Sequence, residues 1–201
     1  MKKEQKAGNT TSCTDVGATA GHGLRRLVWR ATRNTDGVAA IEFGLIALPL
    51  FMLIMGIVEV GLFFAAGLVL EGSAAEAGRV VRTGQAQQSA DPEETFRQAL
   101  CAHADTMLDC DRIQYEVIRI GNDSFASAET AQPEFDEDGN LIEQDFNAGN
   151  SNDVILIRAV YRYEFLTPFI GALMTGDPSR NWMNHISTVV VKAEPYVFGE
   201  E

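Results

Sequence analysis

The chain has 201 residues and a formal net charge of −12 at pH 7, and 46% of its residues are hydrophobic. Its charge is divided unevenly: residues 1–37 carry seven basic and three acidic side chains, whereas residues 71–201 carry nine basic and 23 acidic ones. A C-terminal part with this excess of acidic side chains would repel the phosphates of nucleic acid and anionic lipid headgroups. Its charge therefore argues against both as ligands.

An apolar stretch follows the basic segment. Between Val38 and Leu70 the only charged side chains are Glu42 and Glu59. Because about 20 apolar helical residues cross a bilayer, this stretch predicts one transmembrane helix. The excess of Lys and Arg before it predicts that residues 1–37 stay in the cytoplasm as a basic, disordered leader and that the acidic C-terminal part is exported. The lipid bilayer is thus the first predicted partner.

The same helix is expected to continue beyond the membrane, so that the second segment spans residues 38–84. Helix-forming residues run to Thr83, and Gly84 stands where a left-handed cap would end the helix. Pro49 is expected to bend the helix, because it removes a backbone donor. Glu76 and Arg79 are spaced to pair across one turn on the outer face. The small apolar face is expected to pack on the exported domain through Ala74, Ala77, Val80 and Val81.

Residues 85–201 predict a periplasmic α+β domain. A second helix opens at Asp91, with Pro92 in its first position and Glu94 completing a capping pair. Its buried stripe is expected to consist of Phe96, Leu100, Met107 and Leu108. Three candidate strands rich in β-branched residues follow, at residues 113–120, 154–165 and 186–192.

An acidic loop, residues 122–153, separates the first two candidate strands and contains a small hairpin that turns at Asp138-Gly139. The predicted fold class is therefore α+β: a long N-terminal transmembrane helix that continues into a small domain with a second helix and a three- to four-stranded antiparallel sheet.

Two of the three cysteines, Cys101 and Cys110, fall in the exported part, where disulfides persist. Together with His103 and Asp109 they could suggest a metal site, but Cys101 and His103 point to nearly opposite faces of a helix. A disulfide between Cys101 and Cys110 is therefore the favoured interpretation, with two free thiols as the alternative.

The sequence contains no motif for a catalytic nucleophile or a phosphate-binding loop. The acidic turn that starts at Asp136 also lacks the glycine and glutamate positions of a calcium-binding EF-hand. We therefore expect no enzymatic activity, no cofactor and no metal. A peptidase cut after Ala77, which would release an exported enzyme, has the least support, because no catalytic set is visible.

Glu42 requires an explanation, because a carboxylate inside a membrane helix costs about 2.5–3.5 kcal/mol on insertion scales. A position near the membrane surface would explain Glu59 but fits Glu42 less well, since apolar residues flank Glu42 on both sides. If a peptidase cuts after Gly37, Val38 gains a free amine that is largely protonated at neutral pH. The amine of a neighbouring subunit would then neutralise Glu42, so that assembly compensates the buried charge.

Several segments together resemble a known family. The run from Gly37 through Val38 to Glu42 and Phe43 is similar to the G-x-x-x-x-E processing site of type IV prepilins, in the Tad subclass where an aromatic residue follows the glutamate. Further segments narrow the resemblance to TadE-like pseudopilins: Gly56-Ile57-Val58-Glu59-Val60-Gly61, Ala77-Gly78-Arg79, Arg82-Thr83-Gly84-Gln85, the paired Cys101 and Cys110, and Glu194-Pro195-Tyr196. The resemblance is close over residues 36–85 and loose from residue 91 onward.

This resemblance implies a minor pilin-like subunit of the tight-adherence secretion apparatus, which helps to assemble the Flp pilus used in surface attachment. Its implied partners are a dedicated prepilin peptidase, which cuts between Gly37 and Val38, other pilin-like subunits and the inner-membrane platform of the Tad system. Glu42, Phe43 and Glu59 are the expected assembly residues. The implied location is the bacterial inner membrane, with the C-terminal domain in the periplasm.

A second interpretation belongs to another functional class. The chain could be an uncleaved, membrane-anchored binding or scaffold protein whose periplasmic sheet captures a partner. In that case the leader would stay attached, and Glu42 would tolerate replacement by Gln.

Overall fold

A computed structural model describes residues 37–120, 125, 131–142 and 146–195. All of the predicted leader except Gly37, parts of the acidic loop and Tyr196 lie outside the described residues. The chain divides into two compact units, residues 1–54 and 55–201.

The first described element is the helix α1, Val38–Arg82, which starts directly after Gly37. It is long and apolar enough to cross a membrane, judged by length and composition. Pro49 lies inside it, and the bend predicted there stays a prediction. The helix ends as predicted, because Gly84 adopts the left-handed conformation with φ of 79° and donates a hydrogen bond from its N–H to the carbonyl of Val81.

Short elements lead from α1 to the sheet. The one-turn helix α2, Gln85–Gln88, is followed by α3, Pro92–Ala104. The Asp91 half of the capping pair predicted for α3 is confirmed, since its carboxylate accepts a hydrogen bond of 3.0 Å from the N–H of Glu94. The reciprocal half does not form, because the N–H of Asp91 donates to Ser89 Oγ at 3.2 Å. A 3₁₀ turn, Cys110–Arg112, then enters the first strand.

Three strands form an antiparallel sheet in the order β1-β2-β3. They are β1, Ile113–Ile120, β2, Val154–Glu164, and β3, Trp182–Lys192. The helix α4, Pro168–Thr175, lies in the connection between β2 and β3. The predicted α+β class and its antiparallel sheet are confirmed, with three strands among the described residues.

The main core lies where the C-terminal half of α1 and the helix α3 cover one face of the sheet. The predicted small face of α1 is fully engaged, and its four residues Ala74, Ala77, Val80 and Val81 are all buried. From α3 the core receives Phe96 and Leu100, and from β2 it receives Ile155 and Ile157. A smaller cluster on the other face of the sheet contains Ile120, Val154 and Leu156.

Two predictions about these elements were wrong, and one helix was missed. Met107 is 41% exposed rather than part of the buried stripe, because α3 ends at Ala104 and the chain turns before reaching it. The third strand begins at Trp182 instead of residue 186, since all eleven of its residues pair with β2. The helix α4 was not predicted at all.

The predicted hairpin in the acidic loop is confirmed by an antiparallel bridge between Phe135 and Leu141. Gly139 has φ of 78° at its turn, a conformation that strongly favours glycine.

Candidate functional site

The predicted processing site lies at the start of α1. Gly37 immediately precedes Val38, the first residue of the helix. A Cβ atom placed on Gly37 would meet nothing within 4 Å. Packing within the described structure therefore does not require a glycine at this position, and its role in processing stays a prediction.

The predicted assembly residues Glu42 and Phe43 follow on the first turns of α1. Both side chains are exposed, and Phe43 has 71% of its surface accessible. The structure brings neither of them into the core. Their surface is free to contact lipid or another subunit.

Glu59 has a different environment, although it lies on the same helix. Its side chain is 1% exposed, and its two carboxylate oxygens accept hydrogen bonds from the backbone N–H groups of Leu166 at 2.5 Å and Thr167 at 3.1 Å. Thr167 is the N-cap residue of α4. Because the first N–H groups of a helix lack partners within it, an acceptor with negative charge at this end is stabilising. Glu59 thus caps a helix that lies more than 100 residues away in the chain.

The contacts around this cap dock α4 against α1. Ile170 of α4 lies over Gly56, where a Cβ atom would come within 3.5 Å of the Ile170 Cδ1 atom. The loop after α4 is fastened by Asn181, whose Nδ2 donates a hydrogen bond of 2.7 Å to the carbonyl of Phe165. In return, the N–H of Phe165 donates to the carbonyl of Asn181 at 2.9 Å. The motif residues Gly56 and Glu59 therefore both serve the same helix–helix contact.

An aromatic cluster lies next to the cap. The ring of Phe63 stacks on Phe165 with centroids 5.6 Å apart, and it contacts His185 of β3 at 4.2 Å. Burial lowers the pKa of His185, and a hydrogen bond with the backbone of Phe63 opposes that shift. Burial also raises the pKa of Tyr163, which packs edge-on against Phe63, and the charge of Glu59 adds to this effect.

Two further motif segments meet at the far end of α1. Gly78 lies under the sheet, where an added Cβ atom would come within 3.3 Å of Val189 and 3.5 Å of Val191. At the helix end, the N–H of Glu194 donates a hydrogen bond of 2.9 Å to the carbonyl of Arg82, and their side chains form an ion pair at 3.4 Å. The chain after β3 is thus fastened to the last turn of α1.

The predicted disulfide is present. Cys101, on α3, is bonded to Cys110, at the start of the 3₁₀ turn, with the Cα atoms 5.5 Å apart. The bond connects the end of α3 to the beginning of β1. The structure therefore supports the disulfide over two free thiols. The predicted pair of Glu76 and Arg79 also forms, as an exposed ion pair on α1.

Sequence reasoning missed one buried ion pair. Glu116 and Arg158 are direct partners in the register of β1 and β2, both are almost fully buried, and their side chains are hydrogen-bonded. Arg158 also donates a hydrogen bond of 2.5 Å to the carbonyl of Ala131. Burial lowers the pKa of Arg158. The sequence does place a Glu in the first strand and an Arg in the second. It does not reveal the register of the two strands, so it could not show that these residues lie opposite each other.

Residues 37–79 match the model of a family described as TadE-like protein. No curated protein and no solved structure matches the chain significantly. The matched segment includes Gly37, Glu42, Glu59 and Gly78, the residues whose places in the structure are described above. Over residues 37–79 the chain is therefore similar to the TadE-like family, in agreement with the resemblance indicated by the motifs.

Proposed function

We propose that the protein is a minor pilin-like subunit, anchored in the inner membrane, that takes part in assembly of Flp-type pili by the tight-adherence apparatus. The carrying observation is the start of α1: a glycine with open surroundings directly precedes the helix, and an exposed glutamate follows within its first two turns. The family match over residues 37–79 supports the same assignment.

In this proposal a prepilin peptidase cuts between Gly37 and Val38. The new amine of Val38 in one subunit then compensates the Glu42 carboxylate of a neighbour within the membrane. Phe43 adds an apolar contact beside that pair. Glu59 supports assembly indirectly, because it holds α4 on α1 and so maintains the surface that neighbours contact.

The distribution of charge supports the direction of insertion, since the basic residues precede the helix and the acidic ones follow it. In this proposal the C-terminal domain faces the periplasm. No enzymatic activity is assigned to it, because the sequence carries no nucleophile or phosphate-loop motif.

The first test is the intact mass and N-terminal sequence of the protein purified from its native membrane. A chain that begins at Val38 is the expected result. Gly37→Leu is expected to block this cleavage, whereas Gly44→Leu is a matched control, because both glycines have open surroundings. Cleavage of the Gly37→Leu protein at the normal rate would contradict the proposal.

The second test separates assembly from processing. Glu42→Ala and Glu42→Gln are expected to leave insertion and cleavage intact and to reduce the amount of assembled pilus, because both remove the charge that the Val38 amine compensates. Exposed Phe51 on the same helix provides the control Phe51→Leu, which preserves apolar character. Normal pilus formation by both Glu42 variants would contradict the assembly mechanism.

One observation favours the alternative of an uncleaved, membrane-anchored binding protein. A groove of about 600 Å³ lies between α1 and the edge strand β3, lined by Phe64, Leu68, His185 and Thr188 among others. A chain that keeps its leader in the native membrane and tolerates Glu42→Gln would support this alternative instead.

A further inference from the structure

The helix α4 exposes an unusually apolar surface for a domain that faces water. No charged residue occurs from Leu166 to Gly176. Leu166, Phe169 and Leu173 have 74%, 63% and 71% of their surfaces exposed. Phe169 and Leu173 lie one turn apart, so they form one face of the helix. Exposed apolar patches of this kind mark an interaction surface.

The patch is continuous with the apolar surface of α1. Ile170 lies over Gly56, and Met55, which lies one turn before Glu59 on the same face of α1, has 48% of its surface exposed. Glu59 fixes this arrangement through its hydrogen bonds to the start of α4. Residues 55–58 belong to the same apolar helix that is able to cross a membrane. A layer that covers the exposed apolar surface of α1 at residues 55–58 would therefore also contact α4.

Residues typical of the membrane surface flank α4 in the chain, Arg162 before it and Arg180 and Trp182 after it. Trp182 starts β3, and the guanidinium groups of Arg162 and Arg180 lie over its ring at 4.2 and 4.8 Å. Tryptophan is enriched where hydrocarbon meets water, and arginine can place its charge in water while its stem covers apolar surface. A change from apolar to Trp and Arg residues over a few positions matches the boundary of a bilayer.

We propose that α4 is a second membrane contact, a short helix that lies in the lipid surface on the domain's side and dips Leu166, Phe169 and Leu173 into the hydrocarbon. The occupant of the patch is lipid, because the patch continues the exposed surface of the membrane helix without an intervening charged residue. Glu59 then serves to hold this helix against α1. The proposal needs only the membrane anchor and not the role in pilus assembly, so it can fail or succeed independently of that role.

The test uses the full-length protein in vesicles of phosphatidylethanolamine and phosphatidylcholine, which carry no net charge and so do not repel the acidic domain. Cys13→Ser leaves only the disulfide-bonded cysteines, and Leu173→Cys or Phe169→Cys then accepts a nitroxide spin label. Gln88→Cys is the matched control, because Gln88 is also an exposed helical residue but lies beyond the far end of α1. Collisions of each label with oxygen, which concentrates in hydrocarbon, and with a neutral nickel complex, which stays in water, are measured.

The expected result is a ratio of oxygen to nickel collisions that is severalfold higher at positions 169 and 173 than at position 88. Equal ratios at all three positions would overturn the proposal, because the patch would then lie in water. Low collision rates with both reagents at positions 169 and 173 would also overturn it, because the patch would then be covered by protein, such as a second copy of the chain. Both labelled positions are highly exposed, so neither label needs to disturb the core.

Discussion

At the scale of single residues, Glu59 combines a charge with almost complete burial. Removing its side chain leaves the N–H groups of Leu166 and Thr167 without their acceptor. We expect Glu59→Ala to lower the free energy of unfolding by about 1–3 kcal/mol, the usual cost of leaving buried donors unsatisfied. Glu59→Gln retains an acceptor oxygen and is expected to lose less. Chemical denaturation of the protein in detergent, followed by circular dichroism, measures both.

Glu71 provides a control for that comparison, because it lies on the same helix with an exposed side chain. Glu71→Ala is expected to change stability by only a few tenths of a kcal/mol. An equal, small effect of Glu59→Ala and Glu71→Ala would show that the cap of α4 does not contribute to stability.

A second residue, His185, makes stability depend on pH. Burial holds its pKa in the folded protein below the ordinary value of 6.5, so the unfolded chain binds more protons at mildly acidic pH. The contribution of His185 to the free energy of unfolding is therefore fully present above pH 6.5. It is lost progressively as the pH falls below that value. The Nε2 atom of His185 is buried without a hydrogen-bond partner among the described residues, so protonation gains no acceptor there.

The measurement is the free energy of unfolding on either side of pH 6.5, for the natural protein and for His185→Phe. Tyr163, the titratable neighbour whose ring lies 6.1 Å from His185, stays neutral in this range because its pKa is raised. The variant is expected to lose less stability on acidification. Identical losses in the two proteins would assign the pH dependence to carboxylates elsewhere.

At the scale of elements, the contact between α1 and the sheet depends on a glycine. Gly78 has Val189, Val191 and Ile157 within 3.6 Å of the position of a Cβ atom, whereas Gly72 on the same helix has nothing within 4 Å. Gly78→Leu is expected to destabilise the protein by about 1–3 kcal/mol through overpacking. Gly72→Leu is expected to stabilise it by up to about 1 kcal/mol, because leucine favours the helix.

Thermal unfolding of the two leucine variants checks this prediction. The opposite signs are informative, because the substitutions change the chain identically and differ only in their surroundings. A loss of stability in both variants would contradict the prediction. It would indicate that larger side chains are not tolerated at Gly72 either, although only Gly78 is in close contact with the sheet.

The elements that sequence reasoning predicted are those with signals in a few adjacent residues. The end of α1 follows from Gly84, and the start of α3 follows from Asp91 and Pro92, because caps act on the backbone within one turn. The strands were found from β-branched residues, although the start of β3 was misplaced, since pairing with β2 extends it beyond that signal. Local chemistry is thus sufficient for most boundaries.

The helix α4 shows why the remainder could not be predicted. Its eight residues are too few for a clear period, although Pro168 at its start and Gly176 after its end are helix boundary signals. What stabilises its start is Glu59, which is separated from Leu166 by 107 positions. The residues of the candidate site fall into the same two groups. Gly37 and Glu42 form a local motif that can be read from the sequence. The partner of Glu59 and the pairing of Glu116 with Arg158 depend on tertiary structure and cannot.

At the scale of the whole molecule, burial along α1 changes close to the boundary between the two compact units. No described residue before Met55 is buried, whereas Glu59 and then Ala66, Leu70 and their successors are. One continuous helix therefore serves two purposes. Its first part presents apolar side chains to its surroundings, and its second part is a structural member of the domain core.

This division predicts that a shortened protein beginning at Met55 folds without the preceding residues. All buried side chains of the described chain lie between Glu59 and Ala193, so the shortened protein keeps the complete core and the disulfide. We expect cooperative thermal unfolding in mild detergent, followed by circular dichroism. Gly78→Leu in the same shortened protein is the control and should lower the midpoint, because it disturbs the packing of α1 on the sheet. A gradual, non-cooperative transition in the unsubstituted shortened protein would mean that the preceding segment of α1 is needed to form the core.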